Sequence, residues 1–324
     1  MRVSRQVGYW ILSFFVVVLF GLTLWNLILN NILFSLLFLF FNIGTFYSLF
    51  KIYKSEVAKK SPTTIHKDYM IEASFFYVGS SLTYLIHNNT VLCIALSSAL
   101  VGLIGALFIK KYQVAIYCGS FVGMSSGLLL SFIPFLAATL LAALIYAMVK
   151  DLFNGVGGKL GTIALSGALV TVLFTRSPFL EGSLFNTSEQ LFIIGISVIA
   201  STLTFVINNR LKQGAVLASA LTGFLMAGIF RVTYLDLNVT FGIVAIGASF
   251  VGMANQTRMK DERYIALAGV LFGLIFIYSA PYFGGAGGKL GTIAFLSVLS
   301  IMGITDLTHI LKLKLTSDKT LTSC

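Results

Sequence analysis

The sequence predicts an all-α polytopic membrane protein built from a duplicated unit, and three observations carry the prediction. Hydrophobic residues make up 57% of the 324 and charged residues only 10%. A soluble domain of this length cannot hide so much apolar surface. The octapeptide GGKLGTIA stands at Gly157–Ala164 and again at Gly287–Ala294. Finally, once the apolar stretches are numbered from the N-terminus, nearly all lysines and arginines fall on alternate connections. Only Arg176 and Arg231 fall on the opposite side, with Lys159 and Lys289 left near or in the membrane.

Taken in order, stretches at 9–29 and 32–50 each approach the ~20 apolar residues that cross a bilayer as a helix. They lie outside the duplication, and packing against the repeat core or an oligomer contact is their simplest role. The polar segment 51–70 carries Lys59, Lys60 and Lys67 and reads as a cytoplasmic loop near anionic lipid. Segment 71–87 ends in Leu82–Ile86 (LTYLI), answered by Leu203–Ile207 (LTFVI) in segment 190–208. Segment 91–109 contains Ser98–Gly102 (SALVG), answered by Ser219–Gly223 (SALTG) in segment 214–231. SFVGM occurs at Ser120–Met124 in segment 114–132 and at Ser249–Met253 in segment 239–256. Segments 133–149 and 264–280 follow, and the two octapeptides open 159–175 and 289–304. This divides the chain into an N-terminal helix pair with its loop (1–70), a first repeat (71–180), a second repeat (190–306) and a cytoplasmic tail (307–324).

Five crossings separate equivalent helices, so the two copies run in opposite directions. The expectation is an inverted 5+5 repeat with glycine-interrupted half-helices, the plan by which many transport proteins enclose one path. The basic side faces the cytoplasm by the positive-inside rule, which puts both termini there and the protein in the plasma (bacterial inner) membrane. The net charge of +11 is then a topology signal, and nucleic acid is an unnecessary partner.

The acidic residues all fall in loops or at segment ends, whereas a proton relay or carboxylate sodium site needs an acid at membrane depth. No nucleotide-binding lysine motif appears. His66, His87 and His309 are scattered, and Cys93, Cys118 and Cys324 show no pairing or metal spacing. No nucleophile–base pair argues for an enzyme, and no cofactor is implied.

What remains is glycine, hydroxyl and aromatic chemistry in symmetric places. Glycines up to Gly158 and Gly288 weaken the helix at membrane depth, where irregular backbone is tolerated only beside protein or a watery cavity. The free N–H groups of such half-helix starts suit carbonyl oxygens or anions. Thr162 and Thr292 lie one turn further on. Ser120, Ser125, Ser249 and Asn255 put hydroxyl and amide groups on the SFVGM helices, and Phe121 and Phe250 occupy equivalent positions where two rings would bound a narrow slot. Lys289, in an otherwise uncharged stretch, meets water, backbone carbonyls or a passing anion. The plain alternative is close packing at the glycines, back-bonded threonines and snorkelling lysines.

The pattern resembles the urea transporter family of bacteria and animals. AIYCGSFVGM at Ala115–Met124 is similar to that family's GLxGYNGxLVG-type helix, and Gly288–Phe295 shares the spacing of its T-x-P-F segment through Thr292 and Phe295. The SALVGLIGALFIKK stretch resembles the helix preceding these motifs. Cys118 and Gly247 stand at the family asparagine, Lys159 and Lys289 at its proline, and its N-P-x-x-G motif is absent. The resemblance implies one phenylalanine-lined pore per protomer, a homotrimer, and passive conduction of urea-like neutral solutes. The sequence therefore leads to a passive channel for a small polar solute. A small-anion path using Lys159 and Lys289, and a non-transporting membrane scaffold, are the alternatives.

Overall fold

The computed structural model describes residues 2–58, 68–182, 184–232 and 238–321. Lys59, Lys60, Lys67 and Cys324 lie outside the described residues. Among those described the chain forms twelve α-helices and no β-strand: α1 (Arg2–Asn30), α2 (Ile32–Ile52), α3 (Asp68–Asn89), α4 (Ile94–Phe108), α5 (Gln113–Gly123), α6 (Phe132–Val149), α7 (Lys159–Thr175), α8 (Thr187–Phe205), α9 (Ala215–Val232), α10 (Asn238–Gly252), α11 (Glu262–Tyr278) and α12 (Lys289–Leu321). Six helical stretches are long and apolar enough to cross a membrane: Arg5–Asn30, Ile32–Val57, Phe132–Val149, Thr187–Arg210, Ala215–Val232 and Lys289–Leu313. Large apolar side chains such as Trp10, Phe14, Leu33, Phe40 and Phe50 stand exposed on α1 and α2, as lipid-facing residues do. The chain is a helical membrane protein.

The helices follow the apolar stretches closely, with two differences. The stretch 114–132 does not form one helix, because α5 stops at Gly123. There the Ser125 hydroxyl donates to Val122 O, and Ser126 N leaves the helix for Gly285 O. Leu128, Leu129 and Leu130 kept the stretch apolar and hid the break. With 11 residues α5 is ~16 Å long, about half a bilayer core. At the other end α12 continues to Leu321, because polar residues end a hydrophobic stretch without ending a helix.

The duplication is visible in the backbone. Gly123 and Gly252 end α5 and α10, while Lys159 and Lys289 begin α7 and α12. Before α7 the chain turns through positive φ at Phe153 (54°), Gly155 (75°) and Gly158 (82°). Before α12 it does so at Phe283 (56°), Gly285 (81°) and Gly288 (88°). Contacts repeat too: α3 lies on α5 as α8 lies on α10, and α6 on α7 as α11 on α12. The halves meet where α4 packs on α9 and α7 crosses α12. Outside the duplication, α2 docks on α12 through small residues: Thr45 Oγ1 lies 2.7 Å from Ser300 Oγ, and Ser48 Oγ donates to Leu299 O at 2.8 Å.

Candidate functional site

The site grows from the α7–α12 crossing. Gly161 and Gly291 face each other there, and a side chain on either would run into the other's Cα. A β-carbon on Gly158 would meet Gly291 O and Phe295 N, and one on Gly288 would meet Gly161 O and Leu165 N. These contacts are reciprocal, as in a self-complementary interface. The half-helix starts also exchange partners. Gly157 sits against the carbonyls of Phe250 and Val251, and Gly287 against those of Phe121 and Val122. Each glycine loop thus packs on the SFVGM helix of the other half.

Two cavities flank this crossing. The first, about 230 Å³, is lined by Val114, Phe121, Phe153, Gly155, Gly158–Leu160, Asn208, Asn209, Ala215, Phe250, Met253 and Asn255 among others. The second, about 240 Å³, is lined by Ile94, Met124, Glu181, Ile243, Phe276, Phe283 and Gly284–Leu290. Val114 and Ile243, Ala215 and Ile94, Phe153 and Phe283, Met253 and Met124 are equivalent positions of the two repeats. The first cavity lies at the start of α5 and the end of α10; the second lies at the end of α5 and the start of α10. From Ile243 to Phe250 is two helical turns, so ~10 Å of protein separates the two spaces along α10.

Between α5 and α10 the first cavity is walled by an aromatic pair. The rings of Phe121 and Phe250 lie 4.4 Å apart, each side chain 1% exposed, and Tyr117 closes on them at 4.5 and 6.1 Å. A ring pair of this kind adds about 1 kcal/mol beyond its burial. Ser120 and Ser249 are fully buried beside the rings and bond to Ser98 and Ser219 at 2.9 and 2.8 Å. Ser125 and Asn255 stand just past the ends of α5 and α10 and not on those helices, because the chain turns after Gly123 and Gly252. Asn255 is exposed and lines the first cavity, its backbone N–H donating to Gly155 O. The Ser125 hydroxyl accepts from Gly287 N at 3.1 Å. Thr292 back-bonds to Gly288 O, and the buried Thr162 hydroxyl has no partner among the described residues.

The two lysines are spent on the protein itself. Lys159 Nζ donates to Lys150 O at 2.9 Å, Leu152 O at 2.8 Å and Asn154 Oδ1 at 3.4 Å. Lys289 Nζ donates to Ser279 O at 2.8 Å, Ala280 O at 3.3 Å and Tyr282 O at 2.6 Å. Both therefore hold carbonyls of the C-cap residue and the turn just beyond the preceding helix, α6 or α11, where the chain leaves the helical ladder. Of the partners the sequence left open, backbone carbonyls are the ones found.

Sequence reasoning missed three contributors. Tyr117 lies in the quoted motif, but its second-half counterpart is Ile246, so symmetry did not single it out. Glu181, at the second cavity, sits in a connecting loop. Glu56 accepts from Phe153 N at 2.7 Å and pairs with Arg258, whose Nε reaches Asn154 O at 3.0 Å. With Tyr9 stacked on Phe153 at 5.5 Å, this ties the first glycine loop to the N-terminal helices. The pair is part-buried, so Glu56→Gln is expected to lower stability by about 1–2 kcal/mol, read as a drop in thermal midpoint of the detergent-purified protein. An unchanged midpoint would show that the tie is not made.

Comparison with family models, with curated proteins and with solved structures gives no match to this chain.

Proposed function

We propose that the protein is a passive channel for a small, uncharged polar solute, with a path running between α5 and α10 from one cavity to the other. The observation that carries this reading is the pair of repeat-equivalent cavities at opposite ends of those helices; in it the Phe121–Phe250 stack, which walls the first cavity, is what parts them. In this reading the halves are related by a two-fold axis in the membrane plane, as an inverted 5+5 repeat. The first cavity and both termini face the cytoplasm of a plasma membrane by the distribution of basic residues. The reciprocal glycine contacts support the axis, and the resemblance to urea transporters supports the solute class and a homotrimer. The starts of α7 and α12 line the cavities at Gly158–Leu160 and Gly288–Leu290, where the positive end of a half-helix would favour a solute carbonyl.

An anion path is the second reading, and the same N–H groups favour it. It draws less support, because both ammonium groups already have oxygen partners and the Glu181 carboxylate stands at the second cavity. The sealed scaffold is the third, and the cavities speak against it.

The test is stopped-flow shrinkage of proteoliposomes in urea, formamide and acetamide. The double variant Phe121→Ala plus Phe250→Ala is expected to change the rates by about tenfold or more, the equivalent of removing a barrier of ~1.4 kcal/mol. Equal rates for wild type and double variant would remove the slot.

A further inference from the structure

We propose that Tyr117 sets the size limit of the aromatic partition, held across the slot by a hydroxyl latch to Ser219 in the opposite half. The inference rests on the solute-path reading and adds to it a residue that breaks the two-fold pattern. Tyr117 and Ile246 are equivalent positions, so one half supplies a third ring and a hydroxyl where the other supplies an aliphatic side chain. The ring meets Phe121 at 4.5 Å and 61°, and Phe250 at 6.1 Å and 81°. It therefore packs at a steep angle against both members of the pair.

The hydroxyl fixes that ring by a chain of bonds whose direction can be worked out. A hydroxyl has one proton to donate. Ser249 donates its proton to Ile246 O at 2.7 Å. Ser219 Oγ, 2.8 Å from Ser249 Oγ, must then be the donor to Ser249. Tyr117 OH, 3.0 Å from Ser219 Oγ, must in turn donate to Ser219. A shorter chain runs in the first half: Ser120 donates to Tyr117 O at 2.8 Å and receives from Ser98 at 2.9 Å. Tyr117 thus ends one chain with its carbonyl and begins the other with its phenol. All five of these side chains are fully buried. Swinging the ring aside leaves a buried hydroxyl on each side of the break, a penalty that keeps the partition narrow.

The geometry makes the latch separable from the ring. Tyr117→Phe keeps the ring and removes the donor; Ser219→Ala keeps Tyr117 and removes its acceptor. In proteoliposome shrinkage assays, each variant is expected to raise the flux of glycerol relative to formamide by about threefold to tenfold, the yield of one net hydrogen bond. Ser219→Ala also removes the donor to Ser249, so the double variant is expected to match Ser219→Ala: once that acceptor is gone, taking away the Tyr117 hydroxyl adds nothing. A packing role for Tyr117 predicts no change in the glycerol-to-formamide ratio for Tyr117→Phe, and that result would overturn the proposal. So would additive effects of the two substitutions. Should Tyr117→Phe fail to fold, Ser219→Ala alone decides, since it leaves all three rings in place. Wild-type vesicles that pass none of formamide, urea or glycerol faster than protein-free ones overturn the solute path itself. That outcome is distinct from a conducting wild type with an indifferent latch.

Discussion

Valine at Gly158 or at Gly288 is expected to lower stability by about 4 kcal/mol or more, enough to cut the yield of folded protein sharply. Two penalties act together. The backbone there holds φ of 82° and 88°, a left-handed conformation that costs an L-residue about 1–2 kcal/mol and a β-branched one more. The added side chain would also press on backbone of the opposite half, Gly291 O and Phe295 N in one case and Gly161 O and Leu165 N in the other. Backbone cannot swing aside as a flexible side chain does, so overpacking adds about 1–3 kcal/mol. The measurement is the thermal midpoint in detergent, with a fall of about 10 °C expected. Gly195→Ala and Gly228→Ala are the controls: both lie inside helices with nothing within 4 Å of an added β-carbon. They should be neutral or stabilising by up to ~1 kcal/mol. Equal behaviour of Gly158→Val and Gly195→Ala would mean that the crossing is looser than described.

Lys159→Met and Lys289→Met are expected to act on stability and to leave ion permeability untouched. Each substitution keeps most of the side-chain volume but strips donors from carbonyls at the end of α6 or α11. Leaving buried carbonyls unpaired costs about 1–3 kcal/mol per group. A loss of about 2–5 kcal/mol follows for either variant, of similar size because two of the three partners are equivalent, Lys150 O with Ala280 O and Leu152 O with Tyr282 O. Planar-bilayer recordings supply the contrary outcome: a chloride or nitrate current in wild type that vanishes in either variant would establish the anion path.

Much of the architecture was legible because hydropathy and repetition are local signals. Lys159 and Lys289 begin helices where the octapeptides placed them, and the short connection at Asn31 separates α1 from α2 as the apolar pattern required. The end of α5 was not legible, since Leu128–Leu130 are as apolar as a helix would be and only the partner Gly285 shows where the chain turns. For the site, the symmetric strings led to Phe121 and Phe250, which do touch. They could not lead to Tyr117, whose importance lies in having no counterpart. Nor could they reveal that Glu56 reaches Arg258, because a contact between such distant parts of the chain depends on how helices pack and leaves no periodic trace. Lysines beside glycine runs suggested a ligand, whereas the nearest carbonyls come from the turn just ahead of each lysine.

The two glycine loops are alike in backbone and unlike in what braces them. The 150–158 loop is anchored by Glu56 and Tyr9 to helices outside the duplication and by Arg258, Glu56's ion partner, to the second half. The 279–288 loop is anchored by the connection between the halves, through Leu180 N to Gly284 O and the rings of Phe179 and Phe283. Salt weakens a pair of charges but hardly touches an amide bridge. Ionic strength therefore acts on the brace of the 150–158 loop more than on that of the 279–288 loop, and two backbones built alike need not loosen together.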